Sequence, residues 1–176
     1  MEIIGKQKTA IATSAAMLEF CGQERCIIDG TGRLKLSTNL LRDYQRHTDN
    51  EIVLYCLPEG AIVAYPPSVW QRMRGHEANK AILAARSVVY RRTLRRFGAM
   101  SQGVKISNQG RITIPSAYRE YAKLVPNTEV LLIGCEIGVE IWNAERWLSE
   151  SQLIQEHIFE KVKIEMDADL LTEGKE

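Results

Sequence analysis

The sequence lacks a strong charge of either sign and has no long apolar run. Its 176 residues carry a formal net charge of only +1, so a charged partner would have to meet a local patch on the surface. No stretch approaches the roughly 20 apolar residues that a membrane-spanning helix requires. With 45% hydrophobic and 26% charged residues, the composition predicts a soluble globular protein that has no membrane partner.

Metal-binding and catalytic motifs are also missing from the sequence. The four cysteines and three histidines are scattered, without a Cys-x-x-Cys pair, and this arrangement predicts no metal site. There is no Gly-x-Ser-x-Gly nucleophile elbow, no glycine-rich phosphate loop and no His-Glu-x-x-His helix. We therefore predict a protein that is not an enzyme and has no cofactor. Cys56 and Cys135 stand in apolar runs, which is typical of reduced core cysteines.

Residues 1–18 imitate a secretion signal only superficially. Two lysines precede an alanine-rich stretch, but threonine and serine dilute it. Glu19 and Phe20 stand where a processing enzyme would require small side chains. We predict an N-terminal extension over residues 1–18.

Charge is distributed unevenly along the chain. Residues 71–100 contain eight basic residues and the single acid Glu77, whereas residues 149–176 contain eight acids and three lysines. The middle of the chain is basic and its end is acidic.

A shift of the chain by 78 positions aligns residues 24–69 with residues 102–147 without a gap. Identity is low, but apolar alternation and turn residues agree between the two segments. The segments include equivalent Gly-Arg pairs, Gly32-Arg33 and Gly110-Arg111. This self-similarity predicts two tandem copies of one structural unit.

Each copy is predicted to form a β-hairpin, a short helix and a second β-hairpin. In the first copy, strands at 26–28 and 33–36 flank a turn with two glycines. Ser37 and Thr38 offer an N-cap for a helix over 39–44, and Pro115 and Ser116 do the same in the second copy. The second hairpins are predicted at 51–57 with 61–65, and at 129–135 with 139–142.

Neither copy alone can bury its apolar face comfortably, so we expect the two halves to interleave around a pseudo-twofold axis in an α+β fold. Between the copies, apolar residues at helical spacing over 82–97 predict an amphipathic linker helix. A looser rhythm over 151–171 predicts a C-terminal helix with a frayed end. Trp70 and Trp147 are interpreted as core anchors. The predicted segments are the extension (1–18), a first half (19–70), basic linker helices (71–101), a second half (102–148) and an acidic helix and tail (149–176).

The arginines that leave the two turns are the strongest candidates for a binding site. Guanidinium groups suit both phosphate oxygens and the O6/N7 edge of guanine, and a pseudo-twofold axis would place Arg33 and Arg111 on related surfaces. Alternatively, Arg33 pairs with Asp29 across its turn and only holds the turn closed. The residues alone leave both interpretations open.

The segment Asp29-Gly30-Thr31-Gly32-Arg33-Leu34 resembles the Asp-x-x-x-Arg motif of the MraZ family, which occurs twice in tandem on double-split β-α-β halves of the AbrB/SpoVT type. The resemblance covers roughly residues 19–150. The second copy keeps Gly110, Arg111 and a closing Pro115 but has Ser107 in place of the aspartate. The first copy has Ser37 in place of that proline.

The resemblance implies an interleaved double-split β-α-β barrel and a cytoplasmic, nucleoid-associated transcriptional regulator. It implies a ring-like homo-oligomer that binds short direct repeats of double-stranded DNA upstream of a cell-division and cell-wall gene cluster. Repetition around a ring would convert a weak contact in each subunit into useful avidity on repeated DNA. The residues expected to meet DNA are Arg33, Arg111, Lys35 and Lys105, with motif support from Asp29, Gly32 and Gly110.

Two alternatives remain at this point. The same scaffold could be an antitoxin-like interaction module whose acidic tail engages another protein. The cluster Arg91, Arg92, Arg95 and Arg96 could contact DNA phosphates, or it could pair with the acidic tail or with a neighbouring subunit. We favour the second interpretation of the cluster, because a helix between interleaved halves is expected at an interface.

Overall fold

The computed structural model describes residues 19–75 and 80–173, with the side chains of the last helix described as far as residue 164. Residues 1–18, where an extension is predicted, lie outside the described part.

Eight strands and six helices follow one another along the described residues. The strands are β1 (Gln23–Ile28), β2 (Arg33–Lys35), β3 (Glu51–Cys56), β4 (Ile62–Tyr65), β5 (Ser101–Lys105), β6 (Arg111–Thr113), β7 (Thr128–Gly134) and β8 (Val139–Asn143). The helices are α1 (Thr38–His47), α2 (Pro67–Arg74), α3 (Lys80–Arg86), α4 (Val88–Ala99), α5 (Ser116–Ala122) and α6 (Ala144–Glu173). This content confirms the predicted α+β class.

The strands form one antiparallel six-stranded sheet and one two-stranded ribbon. The order in the sheet is β1-β7-β8-β4-β3-β5, and the ribbon consists of β2 and β6. The second hairpins were predicted correctly, since β3 pairs with β4 and β7 pairs with β8.

The predicted first hairpins, in contrast, are wrong. The turn at 29–32 forms, and the Asp29 N–H donates to the Arg33 carbonyl over 2.8 Å. The two strands that flank this turn, however, do not pair with each other. β1 pairs over six positions with β7, and β5 pairs with β3. A three-residue β2 could not satisfy the backbone groups of a six-residue β1, whereas β7 can. The first strand of each half therefore pairs with the third strand of the other half.

The two helices that follow the turns begin where the sequence predicts. The Ser37 hydroxyl accepts the Leu40 N–H at the start of α1, over 3.3 Å. Pro115 occupies the corresponding position before α5, with φ of −56°, which suits a helix start without a side-chain cap.

The main core lies between the inner face of the sheet, the ribbon, α1 and α5. Leu34 and Ile112 enter it from the ribbon, and Leu54 and Leu132 enter it from the sheet. Tyr44 is completely buried, and its hydroxyl donates to the Ala64 carbonyl over 2.7 Å. This packing holds the ribbon against one face of the sheet.

The outer face of the sheet carries two smaller apolar clusters. Trp70 of α2 and Phe97 of α4 pack with Tyr55 and other residues of β3 and β4. Trp147 of α6 packs against Trp142 and its neighbours. Both tryptophans are partly buried, which confirms their predicted role as core anchors.

The single linker helix predicted over 82–97 is wrong, because the chain breaks at Ser87 into α3 and α4. Ser87 is extended, with φ −127° and ψ 119°, and its hydroxyl accepts the Tyr90 N–H over 3.1 Å. A serine that caps the next helix in this way does not continue the preceding one. The apolar residues Ile82, Leu83 and Val89 are exposed.

The last helix begins earlier than predicted, at Ala144. The side-chain carbonyl of Asn143 accepts the N–H groups of Glu145 and Arg146 there. Arg146 donates to the Gly60 and Tyr121 carbonyls at 2.7 and 2.9 Å, which fixes the first turn to the body. Within residues 19–75 and 80–173, no helix combines the length and apolar character that crossing a bilayer would demand.

Candidate nucleic-acid interface

The ribbon places the predicted arginines on one exposed surface. Arg33 stands opposite Thr113, and Lys35 stands opposite Arg111, on either side of the central pair Leu34 and Ile112. The central pair is buried, whereas the four flanking side chains are exposed. Alternation along two short strands therefore turns the apolar side chains inward and three cations outward.

The ribbon continues one hydrogen bond beyond each strand. The Leu36 N–H donates to the Gly110 carbonyl over 2.9 Å, and the Ile114 N–H donates to the Gly32 carbonyl over 2.8 Å. Gly32 and Gly110 have φ of +81° and +72°, a region that L residues with a Cβ rarely adopt. The two glycines therefore allow both turns to enter the ribbon in the same way.

Asp29 organises the first turn. Its carboxylate accepts the Thr31 N–H and hydroxyl and the Arg33 N–H, at 2.7 to 2.9 Å. It also forms an ion pair with the Arg33 side chain, with 3.0 Å between Nε and Oδ2. The hydrogen bonds from the Thr31 hydroxyl and the Arg33 backbone hold the pKa of Asp29 well below its usual value. Arg33 is thus oriented by the pairing that the alternative interpretation expected, and its side chain is still 45% exposed.

The second turn has the same backbone but fewer side-chain restraints. The Ser107 N–H donates to the Arg111 carbonyl, and the Gly110 N–H donates to the Ser107 carbonyl, both over 2.8 Å. The Ser107 hydroxyl accepts the Arg111 N–H over 3.1 Å. Serine offers one acceptor where Asp29 makes four contacts, so the Arg111 guanidinium is less restrained than that of Arg33.

A shallow depression beside the ribbon joins residues from both turns. It brings together three of the four predicted contact residues, Arg33, Lys105 and Arg111. Lys35 is not part of its lining but is adjacent to Arg111 across the ribbon. Lys105 also lies 3.5 Å from Glu51, between Nζ and Oε1, and its side chain is 79% exposed.

Three polar residues of this depression escaped the sequence analysis, namely Asn108, Gln109 and Thr113. The two amides occupy the tip of the second turn, and amide side chains suit the N6/N7 edge of adenine. The sequence did contain a signal for these two amides, namely their position between Ser107 and Arg111 in the predicted turn. Thr113 could have been found from alternation with the buried Ile112.

The described residues offer little support for metal binding or for catalysis by a cysteine thiol. No group of three or more His, Cys, Asp or Glu there could hold a metal ion. Burial raises the pKa of the Cys26, Cys56 and Cys135 thiols to about 11, so at neutral pH they are protonated and poor nucleophiles. Cys21, in contrast, is exposed.

The chain is similar in sequence to several known proteins of one family. The family model described as "MraZ protein, putative antitoxin-like" matches residues 99–169. The transcriptional regulator MraZ of Syntrophobacter fumaroxidans is 33% identical over 129 residues, which are 73% of this chain and 81% of that protein. The regulator of the same name from Desulforapulum autotrophicum is 33% identical over 134 residues, 76% of this chain and 86% of its own.

A third relative, the transcriptional regulator MraZ of Dehalococcoides mccartyi, is 30% identical over 144 residues, 82% of this chain and 96% of that protein. These relatives are named as regulators and not as enzymes. The two tandem Gly-Arg turns fit the same assignment. With this identity over most of its length, the chain belongs to the MraZ family.

Proposed function

We propose that this protein is a sequence-specific, DNA-binding transcriptional regulator. It binds short direct repeats upstream of a cell-division and cell-wall gene cluster, acts as a homo-oligomer, and works in the cytoplasm on the nucleoid. The names of its relatives support the regulatory role. The observation that carries the proposal is the ribbon, which presents Arg33, Lys35 and Arg111 on one exposed surface.

The shape of the ribbon suits this function. A two-stranded antiparallel element fits the major groove, where guanidinium groups can bind guanine in a bidentate manner. Lys35 and Lys105 then contact phosphates, which adds affinity without sequence information. Asp29, Gly32 and Gly110 act indirectly, by holding the turns in the shape that aims the arginines.

The strand exchange supports a double-split β-α-β barrel built from two AbrB-like halves. In this proposal residues 19–70 and 102–148 form the halves, residues 71–101 link them, and residues 149–176 form the acidic helix and tail. Both DNA-contacting turns then belong to one rigid unit, because each turn is anchored on strands of the other half.

Fluorescence anisotropy on labelled duplexes tests the proposed site. The duplexes carry one, two or three copies of the repeat from the region upstream of the gene, and a scrambled duplex of equal length measures non-specific binding. Arg33→Ala and Arg111→Ala should each weaken binding to the repeats by roughly 5- to 150-fold, the range expected for one bidentate base contact. Lys35→Ala and Lys105→Ala should mainly reduce the dependence on salt.

Arg42→Ala is the matched control, because Arg42 is exposed on α1, outside the ribbon, and its guanidinium donates to the side chain of Asn39 on the same helix. Its affinity should stay close to that of the unchanged protein. If both ribbon variants bind the repeats as tightly as this control, the proposed site is wrong.

A second candidate is an antitoxin-like interaction module, which the description of the matching family favours. The acidic α6 would then engage another protein. Affinity purification from the native host at moderate salt separates the candidates. A stoichiometric foreign protein without retained DNA supports the module, whereas retained upstream DNA supports the regulator.

A further inference from the structure

Helices α3 and α4 form a basic and apolar surface with no acid. Residues 80–99 contain six basic residues and no aspartate or glutamate. Arg91 and Arg96 donate to the carbonyls of Ala84 and Cys56 in the same chain. Arg92 and Arg95 are exposed, and neither takes part in an ion pair within the described residues. The apolar residues exposed on this surface are Ile82, Leu83, Val88 and Val89.

Helix α6 has the complementary character. Residues 144–173 contain eight acids and three basic residues. Leu153 and Ile164 lie on the same face of the helix as Glu156 and Glu160, whereas Ile154, Ile158 and Val162 form an apolar stripe on the opposite face, and all five apolar residues are exposed. Every residue of α6 from 152 to 164 is exposed, so these apolar side chains face solvent in the single chain. At 30 residues it is about 45 Å long, far more than its first turns need to anchor it.

Within one chain, these two surfaces are fixed to different parts of the sheet. α4 contacts β5, which is an edge strand, whereas α6 contacts β7 and β8 toward the other edge. Arg92, Arg95 and residues 152–164 of α6 are all exposed in the single chain. Each surface is therefore available to a second molecule.

The position of α4 argues against DNA as the partner of its arginines. α4 packs on the outer face of the sheet through Phe97 and Tyr55. The ribbon packs on the inner face through Leu34 and Ile112. Arg92 and Arg95 thus lie across the sheet from the arginines of the ribbon, and a duplex bound to the ribbon would face away from them.

We infer that the α3–α4 surface of one copy binds α6 of a second copy. Leu153 and Ile164 of α6 become buried against the exposed apolar side chains of α3 and α4, and Arg92 and Arg95 meet Glu156 and Glu160, which lie on the same face of α6. Opposite charges fix the orientation, while the apolar residues supply most of the affinity. This inference rests on the homo-oligomer of the proposed function and specifies the faces that join its copies.

Charge reversal with rescue tests this pairing in the full-length protein. The first variant carries Arg92→Glu and Arg95→Glu, the second carries Glu156→Arg and Glu160→Arg, and a third carries all four changes. Analytical ultracentrifugation gives the mass of each, with thermal unfolding as the check on folding. We expect the first two variants to dissociate into smaller species and the third to recover the original mass, because its charges are complementary again.

An equimolar mixture of the first two variants should also assemble, since each supplies the face that the other lacks. The matched control Arg42→Glu, on α1, should keep the original mass. An unchanged mass in both double variants overturns the inference, and so does dissociation of both without rescue in the four-fold variant or the mixture. Loss of DNA affinity at unchanged mass in Arg92→Glu/Arg95→Glu also overturns it, because the arginines would then be phosphate contacts.

The same experiment separates this inference from the function on which it rests. A monomeric unchanged protein removes the homo-oligomer from the proposed function and the inference with it. If the protein is oligomeric and the charge reversals leave its mass unchanged, only the inferred faces are wrong. The proposed binding of the repeats through Arg33 and Arg111 is then unaffected.

Discussion

Arg119 of α5 lies directly over Gly32, the glycine of the other half's turn. A Cβ at Gly32 would lie 2.6 Å from the Arg119 Nε, and this nitrogen is buried without a hydrogen-bond partner among the described residues. The corresponding contact joins Gly110 to Leu41 of α1, where a Cβ would lie 3.1 Å from Cδ2. Each turn is thus packed against the helix of the opposite half, by a cation at one site and by an apolar chain at the other.

Gly32→Ala should destabilise the protein by more than Gly110→Ala. Both substitutions place a Cβ at positive φ, which costs about 1–2 kcal/mol, and Gly32→Ala also displaces the Arg119 guanidinium. Urea unfolding of both variants measures the difference. Adding Arg119→Ala to Gly32→Ala should recover the steric part of the loss and leave the backbone part. No recovery in this double variant would contradict the packing explanation.

Leu34→Ala and Ile112→Ala should each lower the free energy of unfolding by about 2–5 kcal/mol, because each leaves a cavity under the ribbon. The two residues stand opposite each other, so the double substitution should cost less than the sum of the single ones. Thr113→Ala, on the exposed face of the same ribbon, is the control and should change stability by less than about 0.5 kcal/mol. Equal losses in all three single variants would mean that the ribbon is not anchored by its inner face.

Asp29→Asn should reduce the preference for repeat DNA over scrambled DNA. The substitution weakens the restraint on Arg33, which lowers specific affinity. It also removes a negative charge near the duplex, which raises non-specific affinity. Both effects lower the ratio of the affinity for repeat DNA to the affinity for scrambled DNA. Anisotropy on both duplexes at one salt concentration gives this ratio, and a ratio at or above that of the unchanged protein would contradict the orienting role.

Glu140→Gln should raise the melting temperature at pH 7. Burial raises the pKa of Glu140, although Trp142 Nε1 donates a 2.8 Å hydrogen bond to its carboxylate. The stability contributed by the protonated form is present below the unfolded pKa of about 4.3 and is lost as pH rises through the higher folded value. Glutamine is uncharged and keeps an acceptor for Trp142, so it avoids that loss.

Thermal unfolding of both proteins between pH 4 and 7.5 checks this expectation, with Glu120→Gln on the exposed surface as the control. The advantage of Glu140→Gln should shrink as the pH falls toward 4, because the raised pKa of Glu140 favours the protonated, uncharged carboxyl as the pH falls. A constant advantage at every pH would show that ionisation of Glu140 is not its cause.

The sequence was sufficient to locate most of the strands and helices and to pair the second hairpin of each half, but not to pair the strands beside the two Gly-Arg turns. Alternation identifies Leu34 and Ile112 as inward-facing and Arg33 and Arg111 as exposed, because a period of two is local. It contains no information on the partner of β1, which lies in the other half. The break at Ser87 was missed because serine is compatible with both a helix interior and a cap. The contact between Gly32 and Arg119 joins elements of both halves, so only the folded chain shows it.

Strand exchange between the halves also has a consequence for synthesis. β1 finds its partner about 100 residues later in the chain, and such distant pairings close slowly because the intervening chain must be ordered first. The first half therefore leaves the ribosome with its leading strand unpaired, and the ribbon cannot form until β6 has been made. Fragments that end before residue 111 should lack the proposed DNA-binding surface, and a nascent chain gains that surface only after β6 has been made.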